Sequence, residues 1–256
     1  MIKPGFVLLL LVKLSFIPQL LLAEGIVVAV AANFTQTMKQ ITHEFERVSG
    51  HRVSVVSGSS GKLYAQISNG APFDIFFSAD SEKTQLLEQS GKGVKDSRWI
   101  YARGKLVLWS QKNITQQALK EAFMSGHFNR LAIANARLAP YGAAAEQLLQ
   151  NLNLASQWSV RLIKGENIAQ VFQFVSSGSV DFGLVAASQL TGQWQHKGSQ
   201  WVIPEHLYPP IEQEAILLTR AAKNPIAKAF IHYVKSPAVV NKIVSFGYAV
   251  QRERAK

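Results

Sequence analysis

The sequence predicts an α/β protein built as two lobes, and three observations carry that prediction. From residue 26 onward, short apolar and β-branched runs alternate with segments whose apolar residues recur at helical spacing. The alternation resumes after Gly104, with no Gly/Ser-rich or Pro-rich linker between the two regions. The turns from strand to helix are built of Ser, Asn and Gly, which allow sharp backbone turns and cap helices whose first N–H groups are free.

A chain of 256 residues is long enough for one large core or two smaller ones. It contains no cysteine, which excludes disulfides, thiolate metal sites, cysteine nucleophiles and a bacterial lipoprotein anchor. Residues 1–23 read as a secretory signal peptide: Lys3 precedes an apolar stretch that runs to Ala23, where cleavage is expected. A permanent membrane anchor fits less well, because Lys13 and Pro18 interrupt a span that needs about 20 apolar residues. The formal charge of +11 falls by two, to +9, when this segment leaves with Lys3 and Lys13. Basic residues such as Lys39, Arg47, Arg52, Lys62 and Lys83 are scattered singly, without interleaved aromatics, so no nucleic-acid partner is expected. A field that favours anions is the remaining consequence.

Residues 26–32 are continuously apolar, as in a strand covered on both faces. Asn33 follows as a helix cap, and Met38, Ile41, Phe45 and Val48 then share one helical face that ends at Gly50. A second strand spans 52–57 and a second helix 60–68, with Leu63 and Ile67 inward. Asn69 to Pro72 turn the chain into a third strand at 73–77, and the Ser78 to Ser81 stretch caps a helix over 82–89. Three consecutive βα units imply a mostly parallel sheet with right-handed crossovers.

Further strands are predicted at 105–109, 130–134, 160–163, 180–185 and 215–219. Pro140 to Gly142 read as a turn before a helix over 143–152, Asn167 precedes a helix over 168–176, and two closing helices span 225–233 and 236–245. Strands crossing near Lys105 and Leu207 would make the first lobe discontinuous, 24–105 plus 210–256, with 106–209 as the second.

The chemistry concentrates at 57–63, Ser-Gly-Ser-Ser-Gly-Lys-Leu, where a strand gives way to a helix capped by Ser60: a seat for an anion. A P-loop is excluded, since its first glycine would fall on Val56 and its final Ser/Thr on Leu63. A nucleophile elbow centred on Ser60 would need glycine at Lys62. An enzyme is the competing class. However, His43, His51, His127, His196, His206 and His232 show no metal-site spacing, and Ser59 has no recognisable base.

The segments Val30 to Thr35, Ser57 to Leu63, Gly70 to Asp80, Ala139 to Gly142 and Gly183 to Val185 together resemble the periplasmic molybdate-binding proteins of ABC transporters. The resemblance implies a two-lobed periplasmic binding fold that closes on molybdate or tungstate and docks on a membrane permease. It implies a monomeric periplasmic carrier that uses no cofactor or metal cation and catalyses no reaction. By position, the ligand-binding residues would be Asn33 and Ser60 from the first lobe, and Tyr141 and the backbone N–H of Ile168 from the second. Some members carry a ligand tyrosine where this chain has Ala186, and Tyr141 would supply a hydroxyl from elsewhere in the pocket. Sulfate, phosphate or another small oxyanion is the nearest alternative ligand.

Overall fold

The computed structural model describes residues 25–126 and 130–250; the expected signal peptide and His127 lie outside the described residues. The chain begins with strand β1 (Gly25–Ala31), a short 3-10 turn (Ala32–Phe34) and helix α1 (Thr35–Ser49). Met38, Ile41 and Phe45 of α1 are buried, and Gly50 closes the helix at φ +71°, a conformation glycine reaches without steric cost. Val48, expected on the inward face, is 60 % exposed in the last turn of α1. Strand β2 (Arg52–Gly58), helix α2 (Ser60–Ser68), strand β3 (Ile75–Phe77) and helix α3 (Glu82–Gln89) follow the predicted order. Strand β3 starts later than expected, and just before it the Asp74 carboxylate accepts the Val27 N–H at 2.7 Å and pairs with Arg220 at 3.1 Å.

Strands β4 (Trp99–Gly104) and β5 (Leu106–Ser110) are separated by Lys105 alone. The expected strand at 105–109 is β5, whereas β4 has no counterpart among the strands read from the sequence. Helix α4 (Gln116–Ser125) is capped by Thr115, whose Oγ1 accepts the Ala118 N–H at 3.1 Å. After strand β6 (Leu131–Ala134) comes helix α5 (Pro140–Asn151). The expected turn at 140–142 is instead the first turn of α5, since proline is favoured at the first helical position, where its missing N–H is no loss. Helix α6 (Ala155–Trp158), strand β7 (Leu162–Gly165), helix α7 (Ile168–Ser176), strand β8 (Phe182–Ala186) and the short strand β9 (Ser199–Val202) complete this region. The chain ends in strand β10 (Ile211–Leu217) and helices α8 (Pro225–Val234) and α9 (Pro237–Ser245), both opened by proline.

These strands form two five-stranded sheets, ordered β2-β1-β3-β10-β4 and β7-β6-β8-β5-β9. Each is mixed: the βα units supply parallel ladders, and the strands next to the crossings run antiparallel. The chain leaves the first sheet at Lys105 and returns between Val202 and Ile211.

Each sheet has its own core. In the first, Phe34 packs on Tyr101 with ring centroids 4.7 Å apart and on Tyr248 at 5.3 Å, and Tyr101 meets Phe77 at 5.1 Å. Such pairs add about 0.5–1.5 kcal/mol each beyond area burial, and the tyrosines keep a polar tip for hydrogen bonding. In the second, Trp109, Phe123 and Trp158 are fully buried, with Trp109 stacked on Phe172 at 5.1 Å.

Candidate functional site

The carboxyl ends of the parallel strands of both sheets converge, which is where open α/β sheets bind ligands. There the 3-10 turn after β1, the starts of α2, α5 and α7, and Ala79 beyond β3 line a cavity of about 10 Å³. Asn33, Ser60, Tyr141 and Ile168 all line it, as do Ser59 and Asn167. A space of this volume holds about one water-sized body.

The local chain explains what each residue offers. Asn33 does not cap α1, because the 3-10 turn intervenes and Phe34 takes the cap position. Its side-chain amide donates instead to Gln213 Oε1 at 2.8 Å and to the Tyr248 hydroxyl at 3.1 Å. That leaves its backbone N–H, at the start of the 3-10 turn, for the cavity. Ser60 is the first residue of α2 rather than its cap, a position that Ser59 holds. Ser60 Oγ accepts the Ala79 N–H at 2.9 Å, so its own hydrogen is available to donate. Tyr141, the second residue of α5, accepts Gln213 Nε2–H at 3.3 Å and likewise keeps its O–H. At α7 the Asn167 side chain takes the N–H groups of Ala169 at 2.9 Å and Gln170 at 3.2 Å. The Ile168 N–H is the first-turn donor that this cap does not use.

No charged side chain lines the cavity. Glu166, beside Ile168 in sequence, pairs with Lys62 of the other lobe at 2.7 Å, both side chains about half exposed. The lobes are also joined by Gly61 N–H to Leu138 O at 2.9 Å and by Ser188 Oγ–H to Asn33 O at 3.1 Å. Ala186 is buried in β8, does not line the cavity, and donates its N–H to Gln189 Oε1 at 2.9 Å. Among the described residues, no group of three His, Cys, Asp or Glu could hold a metal ion.

Three residues behind the cavity had no sequence signal: Gln213, Tyr101 and Tyr248. Gln213, fully buried in β10, accepts from Asn33, lies 2.9 Å from the Tyr101 hydroxyl and donates to Tyr141, linking the two lobes through one side chain. A glutamine in a strand ordinarily reads as a solvent-facing position. Burial holds the phenols of Tyr101, Tyr141 and Tyr248 above the ordinary value of 10. Folding therefore favours the protonated phenols, a contribution fully present below pH 10 and lost as pH rises through the elevated folded-state values. In an absorbance titration these three should ionise only with alkaline unfolding; ionisation of all six tyrosines near pH 10 in the folded chain would show that they are not sealed.

Two mixed α/β lobes that close on a small cavity of uncharged donors define a solute-binding protein. Residues 26–249 match the family described as bacterial extracellular solute-binding protein, and the chain belongs to that family. It is 43 % identical to the molybdate-binding protein ModA of Azotobacter vinelandii over 235 residues, 90 % of this chain and 91 % of that protein. Identity to ModA of Rhodobacter capsulatus is 38 % over 229 residues, 90 % of each chain. The solved A. vinelandii periplasmic molybdate-binding protein superposes with a TM-score of 0.83 at 35 % identity, covering 89 % of this chain and all of that one.

Proposed function

We propose that this protein captures molybdate outside the cytoplasm and delivers it to the permease of an ABC transporter, with tungstate as a second ligand. The observation that carries this is a cavity at the carboxyl ends of both sheets, lined by uncharged hydrogen-bond donors and by no carboxylate. The assigned donors are the Asn33 backbone N–H, the Ser60 and Tyr141 hydroxyls and the Ile168 N–H. The chain's relatives, at 43 % and 38 % identity, are named molybdate-binding proteins. In this reading residues 1–23 are removed on export, and the lobes comprise 24–105 with 210–256, and 106–209. The mature protein is a monomeric periplasmic carrier that uses neither metal cation nor cofactor and performs no turnover.

Donors without an acceptor also set selectivity. Hydrogen phosphate carries a proton that needs an acceptor, and none of the assigned groups is a carboxylate. Sulfate has the charge of molybdate and no proton, so only reach can reject it. A smaller tetrahedron leaves some bonds unmade, each worth about 1.5–3 kcal/mol to a charged group. Thermal melts of the mature chain with molybdate, tungstate, sulfate, phosphate and amino acids test this. A ligand at a thousandfold excess over its Kd stabilises by about 4 kcal/mol. Molybdate and tungstate should raise Tm, phosphate should not, and no shift with millimolar molybdate or tungstate would sink the assignment. Tyr141→Phe should bind molybdate roughly ten- to a hundredfold more weakly in calorimetry, the loss of one bond to a charged ligand. Unchanged affinity for both molybdate and sulfate would show that this hydroxyl is not a ligand.

A further inference from the structure

We propose that Ser59 is an additional donor to the bound oxyanion, an inference that rests on the function proposed above. Ser59 holds the N-cap position of the nine-residue helix α2, with extended backbone angles of φ −70° and ψ 147°. A serine there ordinarily accepts an N–H from the second or third helical residue. Ser59 makes no such bond. The N–H of Gly61, the second residue of α2, donates across the cleft to Leu138 O at 2.9 Å, so one of the two groups a capping serine would use is taken by the other lobe.

The Ser59 hydroxyl is thereby left without a partner, although the residue is 2 % exposed and lines the same cavity as Ser60, Tyr141 and Ile168. Buried polar groups are almost always hydrogen-bonded, and an exception at a ligand cavity points to a bond made with the ligand. Its chemistry fits: a hydroxyl donates one hydrogen, as an oxyanion requires, and adds no charge. Ser59 and Ser60 then differ in kind. Ser60 is oriented by the Ala79 N–H, whereas Ser59 has only the ligand to bond.

Calorimetric titration of molybdate into the mature parent, Ser59→Gly and Ser59→Asp tests the assignment. Glycine is accepted at an N-cap and leaves no polar group behind, so Ser59→Gly is expected to fold with a ligand-free melt near that of the parent, and the ligand-free melt of Ser59→Asp, which places a carboxylate at a 2 % exposed position, is recorded beside its titration. Ser59→Gly should bind roughly ten- to a hundredfold more weakly, the loss of one hydrogen bond to a charged ligand. Ser59→Asp should lose binding entirely, because its carboxylate would face the dianion. Parent-like affinity in either variant would overturn the role of Ser59 while leaving the proposed function standing. A parent chain that bound neither molybdate, tungstate nor sulfate would overturn both.

Discussion

Replacing Gln213 with leucine should lower folding stability by about 2–4 kcal/mol and weaken oxyanion binding in the same protein. The side chain is fully buried, accepts the Asn33 amide at 2.8 Å and donates to the Tyr141 hydroxyl at 3.3 Å. Leucine fills a similar volume but leaves one Asn33 N–H unpaired, at about 1–3 kcal/mol for a buried donor, and removes the donor that orients Tyr141. Tyr101 is protected from the same loss, since its hydroxyl also lies 3.0 Å from Ser78 O. Urea unfolding should show the change in midpoint with an unaltered slope, the sign of lost stability rather than altered compactness. A variant within about 0.5 kcal/mol of the parent, the usual range for surface substitutions, would mean that the buried network does not hold the site together.

Gly104→Ala should reduce molybdate affinity by about a hundredfold or more, at a stability cost of about 1–3 kcal/mol. A Cβ at this position would lie 2.1 Å from the Tyr141 hydroxyl oxygen and 2.7 Å from Gln213 Nε2, closer than any real contact. Tyr141 is rigid and fully packed, so the ring cannot swing aside without leaving its place at the cavity. Two bonds are disturbed together: the one from Gln213 to Tyr141 and the one proposed from Tyr141 to the anion. In a double-mutant cycle, Gly104→Ala and Tyr141→Phe should be strongly non-additive, because both act through the same oxygen. Additive losses would place the effect of Gly104 elsewhere.

Both substitutions act where the lobes meet, beside the site proposed for the anion. The cross-lobe bonds from Gly61 to Leu138, from Ser188 to Asn33 and from Gln213 to Tyr141, with the exposed pair of Lys62 and Glu166, hold the closed arrangement. The exposed pair contributes little, about 0–1 kcal/mol, and is screened by salt. Among these contacts the buried hydrogen bonds therefore hold the lobes together more strongly than the exposed pair.

Local chemistry in the sequence determined the order of most strands and helices and the helix starts at residues 60 and 168, whereas the choice of Asn33, Ser60, Tyr141 and Ile168 as ligand residues came from the resemblance to a family. Hydrophobic period, capping residues and turn glycines act over a few residues, so they can be read without a fold. Tertiary structure alone decided which atom each residue presents. Asn33 turns its amide away because Gln213 and Tyr248, 180 and 215 residues distant in the chain, supply better partners than its own helix. Ser59 makes no capping bond, while the neighbouring Gly61 N–H goes to Leu138 in the other lobe. Strands β4 and β9 are defined by pairing with β10 and β5, segments remote from them in the chain. The common physical reason is that a buried polar group must find a hydrogen-bond partner, and sequence distance places no limit on where that partner lies.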